Sequence, residues 1–160
     1  MVGSGTVLTS GRELKNSVVC RAISCDKMNL MNTRLDLTSL KNALQSLDLA
    51  LSKEKDEFIR DSVIQRFEFT YELSWKFLSR HLALDLGSDA VDKLSRRDLY
   101  RTAAEKGLIE DAAIWFQYHT ARNTTSHTYN ASIAEQVYEV ARKFSSDAHF
   151  LLNKLIEIHR

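Results

Sequence analysis

The chain has 160 residues, with 22 Lys and Arg against 21 Asp and Glu, for a net charge of +1. That length gives one domain able to bury about 65–70% of the surface its unfolded chain exposes, with no disulfide or metal required to hold it. So even a balance of charge excludes a protein that coats nucleic acid through bulk electrostatics, and any RNA contact must be local.

Residues 1–30 differ from the remainder. Three of the five glycines lie there, with scattered Ser and Thr, a single Glu13 and no sustained helical period. The segment reads as a disordered extension, or as sequence upstream of a true start at Met28 or Met31. A transit peptide, suggested by Arg12, Lys15 and Arg21, is the alternative. Both cysteines, Cys20 and Cys25, fall here without a nearby Cys or His pair to complete a zinc site, and are read as free thiols in a reducing cytoplasm. No stretch approaches the length of a membrane span, and no apolar signal region opens the chain, so neither membrane insertion nor secretion is expected.

From Thr33 onward there is no proline, and the two remaining glycines, Gly87 and Gly107, stand where helices should stop. Leu37, Leu40, Leu44, Leu47 and Leu51 step by three and four, predicting an amphipathic helix over 35–55. A second helix, over 57–83, carries Ile64, Phe67, Tyr71, Trp75, Leu78 and Leu82 on one face. After a polar connector at 85–94, Ser95 followed by Asp98 resembles a capping box for a short helix that Gly107 closes. Glu110 and Asp111 suit the positive start of another helix through Ile114, Trp115, Tyr118 and Ala121. Asn123 to Ser126 are poor helix formers, so a break is predicted there. Ser132 with Glu135 is expected to cap the last helix, whose buried stripe is Ile133, Val137, Val140, Phe144, Ala148, Leu151, Leu152 and Leu155. The fold class is therefore all-α, an antiparallel bundle of four main helices with an additional short one.

Between Asp111 and Glu135 the one formally charged residue is Arg122, which opens the string Arg122-Asn123-Thr124-Thr125-Ser126-His127-Thr128-Tyr129. A guanidinium is a permanent forked cation suited to phosphate, and an imidazole can both take and give a proton near neutral pH. Residues five apart on one helix point about 140° from each other, so a break at Asn123–Ser126 would be needed to turn Arg122 and His127 into one pocket. RNA carries its own nucleophile in the 2′-hydroxyl; a His can take that proton or protonate the leaving 5′-oxygen, and an Arg can stabilise the extra charge at phosphorus. Metal-dependent nucleases use clustered carboxylates instead, and this segment has none, so no metal or cofactor is expected. The bland reading has Arg122 capping helix carbonyls and His127 packing in a turn. Asn123 either orients the Arg or the phosphate, or only ends the helix. His119, one turn earlier, reads as an exposed helical histidine that could line the same pocket, and Arg96, Arg97 and Arg101 as solvated surface cations. Trp75 and Trp115 read as core or dimer contacts.

The string has the form R-N-x-x-x-H-x-Y and resembles the signature of the HEPN superfamily: an Arg, a polar residue, a few spacers and a His. The stretch Asp61 to Trp75 and Lys76 (DSVIQRFEFTYELSWK), together with Arg97-Asp98-Leu99-Tyr100-Arg101-Thr102-Ala103 and Trp115, is similar to the branch of nucleotidyltransferase substrate-binding proteins, which includes HepT-like toxins. The resemblance covers about residues 33–159. It implies a HEPN-like helical bundle that forms a symmetric homodimer, with Arg122 and His127 as catalytic residues of a metal-independent endoribonuclease and Asn123 in support. It further implies a cognate minimal nucleotidyltransferase as partner and antitoxin, which attaches AMP to Tyr129. The rival reading is a non-catalytic subunit that binds a nucleotide or other substrate for the partner, with Arg122 and His127 holding phosphate. A third, a purely structural helical adaptor, requires the motif to be accidental.

Overall fold

The computed structural model describes residues 34–160, and the expectations for residues 1–30, including Cys20 and Cys25, lie outside this range. Its elements are α1 (Thr38–Leu51), α2 (Glu57–Leu86), α3 (Ser88–Val91), α4 (Arg96–Glu105), α5 (Ala112–Thr124), a short 3₁₀ turn (Thr125–His127) and α6 (Ala131–Ile158). No strand occurs among the described residues, and the four main helices α1, α2, α5 and α6 form the predicted bundle with α4 as the shorter addition. The two longest, α2 and α6, lie against each other, α1 packs on both, and α5 is held between α6 and α4.

The apolar stripes point where their spacing says they should. Leu40, Leu44 and Leu47 of α1 are fully buried, with Leu37 and Leu51 packed at the edge of the core. Helix α1 ends at Leu51, short of the expected residue 55, because Ser52 to Asp56 offer nothing apolar to bury. Asp56 instead caps α2, accepting from Ile59 N at 2.7 Å. Phe144 of α6 is the hub of the interior. Its ring meets Phe67 and Tyr118 at 5.2 Å between centroids, Trp115 at 5.9 Å and Tyr71 at 6.1 Å. These are edge-on and tilted contacts of the kind aromatic quadrupoles favour. Trp115 is thus core, whereas Trp75 is half-buried at the surface.

Both glycines act as stops. Gly107 takes a φ of 70°, and the chain around it makes a Schellman closure: Gly107 N donates to Ala104 O and Leu108 N to Ala103 O, both at 2.9 Å, while Leu108 is buried. Gly87, with a φ of 91°, ends α2 and lets the expected connector form the single turn of α3, pinned by buried Val91. Ser95 caps α4 as expected, but only half of the capping box forms: Asp98 N donates to Ser95 Oγ at 3.2 Å, while the Asp98 carboxylate accepts from the Ser95 hydroxyl, Oγ to Oδ2 at 2.5 Å. The expected cap of the last helix is corrected. Asn130, two residues before Ser132, caps α6 by accepting from Ser132 N at 2.9 Å, and Glu135 is drawn instead into an ion pair with Lys55.

Candidate functional site

Helix α5 begins at Asp111, whose carboxylate accepts from Ala113 N at 2.7 Å, and runs one residue past Asn123 before changing character. The predicted break therefore starts at Thr125, and Asn123 remains helical. Its cause is the run of short hydroxyl side chains, which satisfy the carbonyls of the preceding turn. Thr124 Oγ1 donates to Ala121 O at 2.7 Å and Thr128 Oγ1 to Thr125 O at 2.9 Å. Thr125 is itself buried, its hydroxyl between Arg122 O at 2.8 Å and the Glu68 carboxylate, so α2 anchors the turn from below.

Helix α2 supplies the floor of the site through Glu68, Tyr71, Glu72 and Trp75, spaced three and four apart so that they share one face. Glu72 Oε1 lies 2.9 Å from Arg122 Nε, with the two side chains 34% and 38% exposed. The Nε–H does not point along that line, so the contact is an ion pair without a hydrogen bond. Tyr71 Oη meets the hydroxyl of Tyr100, His119 Nδ1 at 3.1 Å and Arg96 Nη1 at 3.3 Å. His119 Nε2 in turn lies 3.3 Å from Asn123 Nδ2, one helical turn along. The Arg96 guanidinium covers the Trp75 ring at 3.9 Å.

The electrostatics follow from this packing. Burial, and then the neighbouring Arg96, hold His119 below the usual histidine range, so it is neutral at pH 7. Burial likewise pushes the Tyr71 and Tyr100 phenols above their ordinary values, keeping both hydroxyls protonated.

The two central side chains of the motif line different grooves. Arg122 borders a cavity of about 430 Å³ with Glu68, Phe69, Glu72, Leu73 and Lys76 on α2. His127 borders one of about 460 Å³ between α5 and α6, walled by Phe116, Ala121, Ile133, Val137 and Val140. The expectation that the break turns them into one pocket is not met within a single copy. The reason is that α5 keeps its helical twist through Arg122, which α2 then holds by its ion pair. His127 and Tyr129 do come together. Both are exposed, Tyr129 by 89%, and their rings stand edge to face with centroids 6.3 Å apart. Among the described residues no three His, Cys, Asp or Glu side chains cluster as a metal site, and no helix is long and apolar enough to cross a membrane.

Residues 35–157 match the family described as "nucleotidyltransferase substrate binding protein like". The chain belongs to this family. A relative from Haemophilus influenzae named "probable ribonuclease HepT" is 34% identical in an alignment of length 139 that covers 79% of this chain and 95% of that protein. Of the solved structures, one from Haemophilus influenzae, described as the fold of a substrate-binding domain of a nucleotidyltransferase, is similar with a TM-score of 0.71 and 33% identity. The match covers 75% of this chain and 98% of that one. A second, from Thermus thermophilus, gives a TM-score of 0.63 at 29% identity over 72% of this chain and 98% of that one. The HEPN-like, HepT-like resemblance drawn from the motif and from helix α2 is thereby borne out, as is the all-helical fold.

For a nucleotidyltransferase substrate-binding family member, the residues that sequence reasoning passed over are instructive. Glu68 and Glu72 stand in the very stretch that carries the resemblance, and their i, i+4 spacing is visible, but their partners, Thr125 in the 3₁₀ turn and Arg122 on α5, are not. Tyr71 belongs to the predicted apolar stripe, yet its hydroxyl makes three polar contacts. His119 is half-buried and twice hydrogen-bonded, in contrast to the expected exposed histidine. Of the three arginines read as solvated, Arg101 fits, exposed and paired with Asp98 at 3.1 Å, and Arg97 lies over Phe116 at 4.3 Å. Arg96 does not fit: it is half-buried against Trp75 and Tyr71.

Proposed function

We propose that this chain is a HEPN toxin, a metal-independent endoribonuclease of a two-component pair, silenced when its partner nucleotidyltransferase attaches AMP to Tyr129. The observation that carries the reading is the exposed edge-to-face pair of His127 and Tyr129 on the turn that follows Arg122. In this reading His127 accepts the proton of an RNA 2′-hydroxyl, the 2′-oxygen bonds to phosphorus, and the P–O5′ bond breaks. The 5′-oxygen leaves with a proton from an imidazolium, giving a 2′,3′-cyclic phosphate and a 5′-hydroxyl. Arg122 stabilises the charge that accumulates on the phosphorane oxygens. Because Arg122 and His127 line separate grooves in one copy, the site is completed in a symmetric cytoplasmic homodimer whose twofold brings the motif of one copy to that of the other.

Regulation follows from the same pair. The Tyr129 oxygen attacks the α-phosphorus of ATP on the partner and releases pyrophosphate. The attached nucleotide then stands beside His127, its phosphate competing with RNA for Arg122. Purified protein freed from its partner is expected to cut single-stranded RNA in EDTA and leave 2′,3′-cyclic ends. His127→Ala and Arg122→Ala should each lower the rate by about 10²–10⁴-fold without unfolding the chain. Undiminished cutting by both variants would sink the assignment.

The second reading, a non-catalytic subunit that binds a nucleotide for the partner, is favoured by one observation: Arg122 is held by Glu72 in a groove that His127 does not line. It predicts phosphate binding at Arg122 with no RNA cleaved by the wild-type protein under any condition.

A further inference from the structure

The buried relay beneath α5 has a fixed proton order. Tyr100 has no exposed surface, and its one hydrogen-bond acceptor among the described residues is Tyr71 Oη, since the nearby Arg96 can only donate. Leaving a buried hydroxyl proton unpaired costs about 1–3 kcal/mol. Tyr100 therefore donates to Tyr71. Tyr71 Oη also accepts from Arg96 Nη1, which fills both of its lone pairs and leaves its own proton one place to go, His119 Nδ1 at 3.1 Å. A neutral imidazole that accepts at Nδ1 carries its hydrogen on Nε2. That hydrogen faces the carboxamide of Asn123, where Nδ2 sits at 3.3 Å, and a half-turn of the amide exchanges Nδ2 for Oδ1 at the same place. An Nε2–H requires the acceptor, so Oδ1 belongs against His119, and the amide NH2 belongs on the solvent side, one residue along α5 from Arg122.

We infer that His119 is a positioning residue which, through Tyr71 and Tyr100, locks the Asn123 carboxamide with its NH2 outward, so that Asn123 and Arg122 together donate to the oxygens of one phosphate group. The proton order stands on the chain of hydrogen bonds from Tyr100 to Asn123 alone, whereas the phosphate as ligand rests on the function proposed above. A protonated His119 would have to donate from Nδ1 as well, displacing the Tyr71 proton and stranding that of Tyr100. The relay is therefore self-consistent only with a neutral ring, in line with the depressed basicity that burial imposes. His119 gains its role without touching substrate.

Long-range ¹H–¹⁵N spectra of the full chain read the tautomer directly. Wild type should show hydrogen on Nε2 and a bare Nδ1 at His119, and Tyr71→Phe should lose that single tautomer, whereas Tyr100→Phe should keep it. Hydrogen on Nδ1 in wild type would overturn the inference. Titration with inorganic phosphate should move the Asn123 NH2 and Arg122 Nε–H resonances together. His119→Leu should weaken phosphate binding about 3–10-fold, the worth of one hydrogen bond, and His119→Gln should restore it by donating to Oδ1 and accepting from Tyr71. Unchanged affinity in His119→Leu, or no movement of Asn123 at high phosphate, would also overturn it. If the tautomer and the phosphate response are as expected yet no RNA is cut, the nuclease reading fails and the positioning role stands.

Discussion

Glu72→Gln removes a charge 2.9 Å from Arg122 Nε and keeps the size and shape of the side chain. Two unit charges at that distance attract by about 1.4 kcal/mol in bulk water and by more in a drier medium. Both side chains are about a third exposed, however, so solvent screening and the entropy of holding two long side chains reduce the net worth of the pair to about 0–1 kcal/mol. The unfolding free energy in urea should therefore fall by no more than about 1 kcal/mol. Arg122, relieved of its counter-ion, should bind phosphate more tightly by the same margin, up to about fivefold in Kd. Titration of the Arg122 Nε–H resonance with inorganic phosphate would measure that gain, and the gain should shrink as ionic strength rises from about 0.01 to 0.15 M, as screening requires. A variant that loses more than about 2 kcal/mol of stability, or that binds phosphate more weakly than wild type, would refute the reasoning. Glu72 would then be the support that aims Arg122 and not the ion that masks it.

Phe144→Ala empties the centre of the ring cluster and should cost about 3–5 kcal/mol, a fall in melting temperature of about 10–20 °C by calorimetry. His81 is buried, its Nδ1 3.0 Å from His159 Nε2, and burial followed by the neighbouring His159 lowers its pKa from the ordinary 6.5. Above pH 6.5 the ring is neutral in both states and contributes no pH dependence. As pH falls below 6.5 the unfolded chain takes the proton first, so stability drops until the folded value is passed. Urea melts between pH 7.5 and 5 should show this loss reduced in His81→Asn. His119 contributes with the same sign. Tyr129→Phe, at a position 89% exposed, should change stability by less than about 0.5 kcal/mol but remove the oxygen proposed above as the AMP acceptor. Intact mass after incubation with an active partner and ATP should rise by adenylyl units in wild type alone, and an AMP group mapped to another residue would sink the proposed regulation.

The bundle was legible because its signals are local and repetitive. Leucines at three- and four-residue steps, Gly87 and Gly107 as stops, and Ser95 with Asp98 as a cap each report on a few neighbouring residues, and each was found in place. Errors arose where two local signals competed. Ser132 and Asn130 both suit an N-cap, and the one that could reach Ser132 N prevailed. Within the motif, His127 and Tyr129 were readable as neighbours because only the turn between them decides it. The pairings of Arg122 with Glu72, Thr125 with Glu68 and His119 with Tyr71 were not, since each spans about fifty residues and depends on how α5 settles against α2. The same holds for Arg96, whose place over Trp75 no spacing on α4 could announce.

The placement of Phe144 bears on when activity can first appear during synthesis. Its ring, from the last helix, is the common neighbour of Phe67 and Tyr71 on α2 and of Trp115 and Tyr118 on α5. Until residues 131–158 have left the ribosome, those four aromatic rings lack their common neighbour, and mainly the polar contacts of Glu68, Tyr71 and Glu72 are left to hold Arg122 and His119 in register. The nascent polypeptide thus carries its complete Arg122 to Tyr129 motif well before it can use it. Under the proposed ribonuclease reading, the order in which the helices are made would shield a translating cell from the incomplete product.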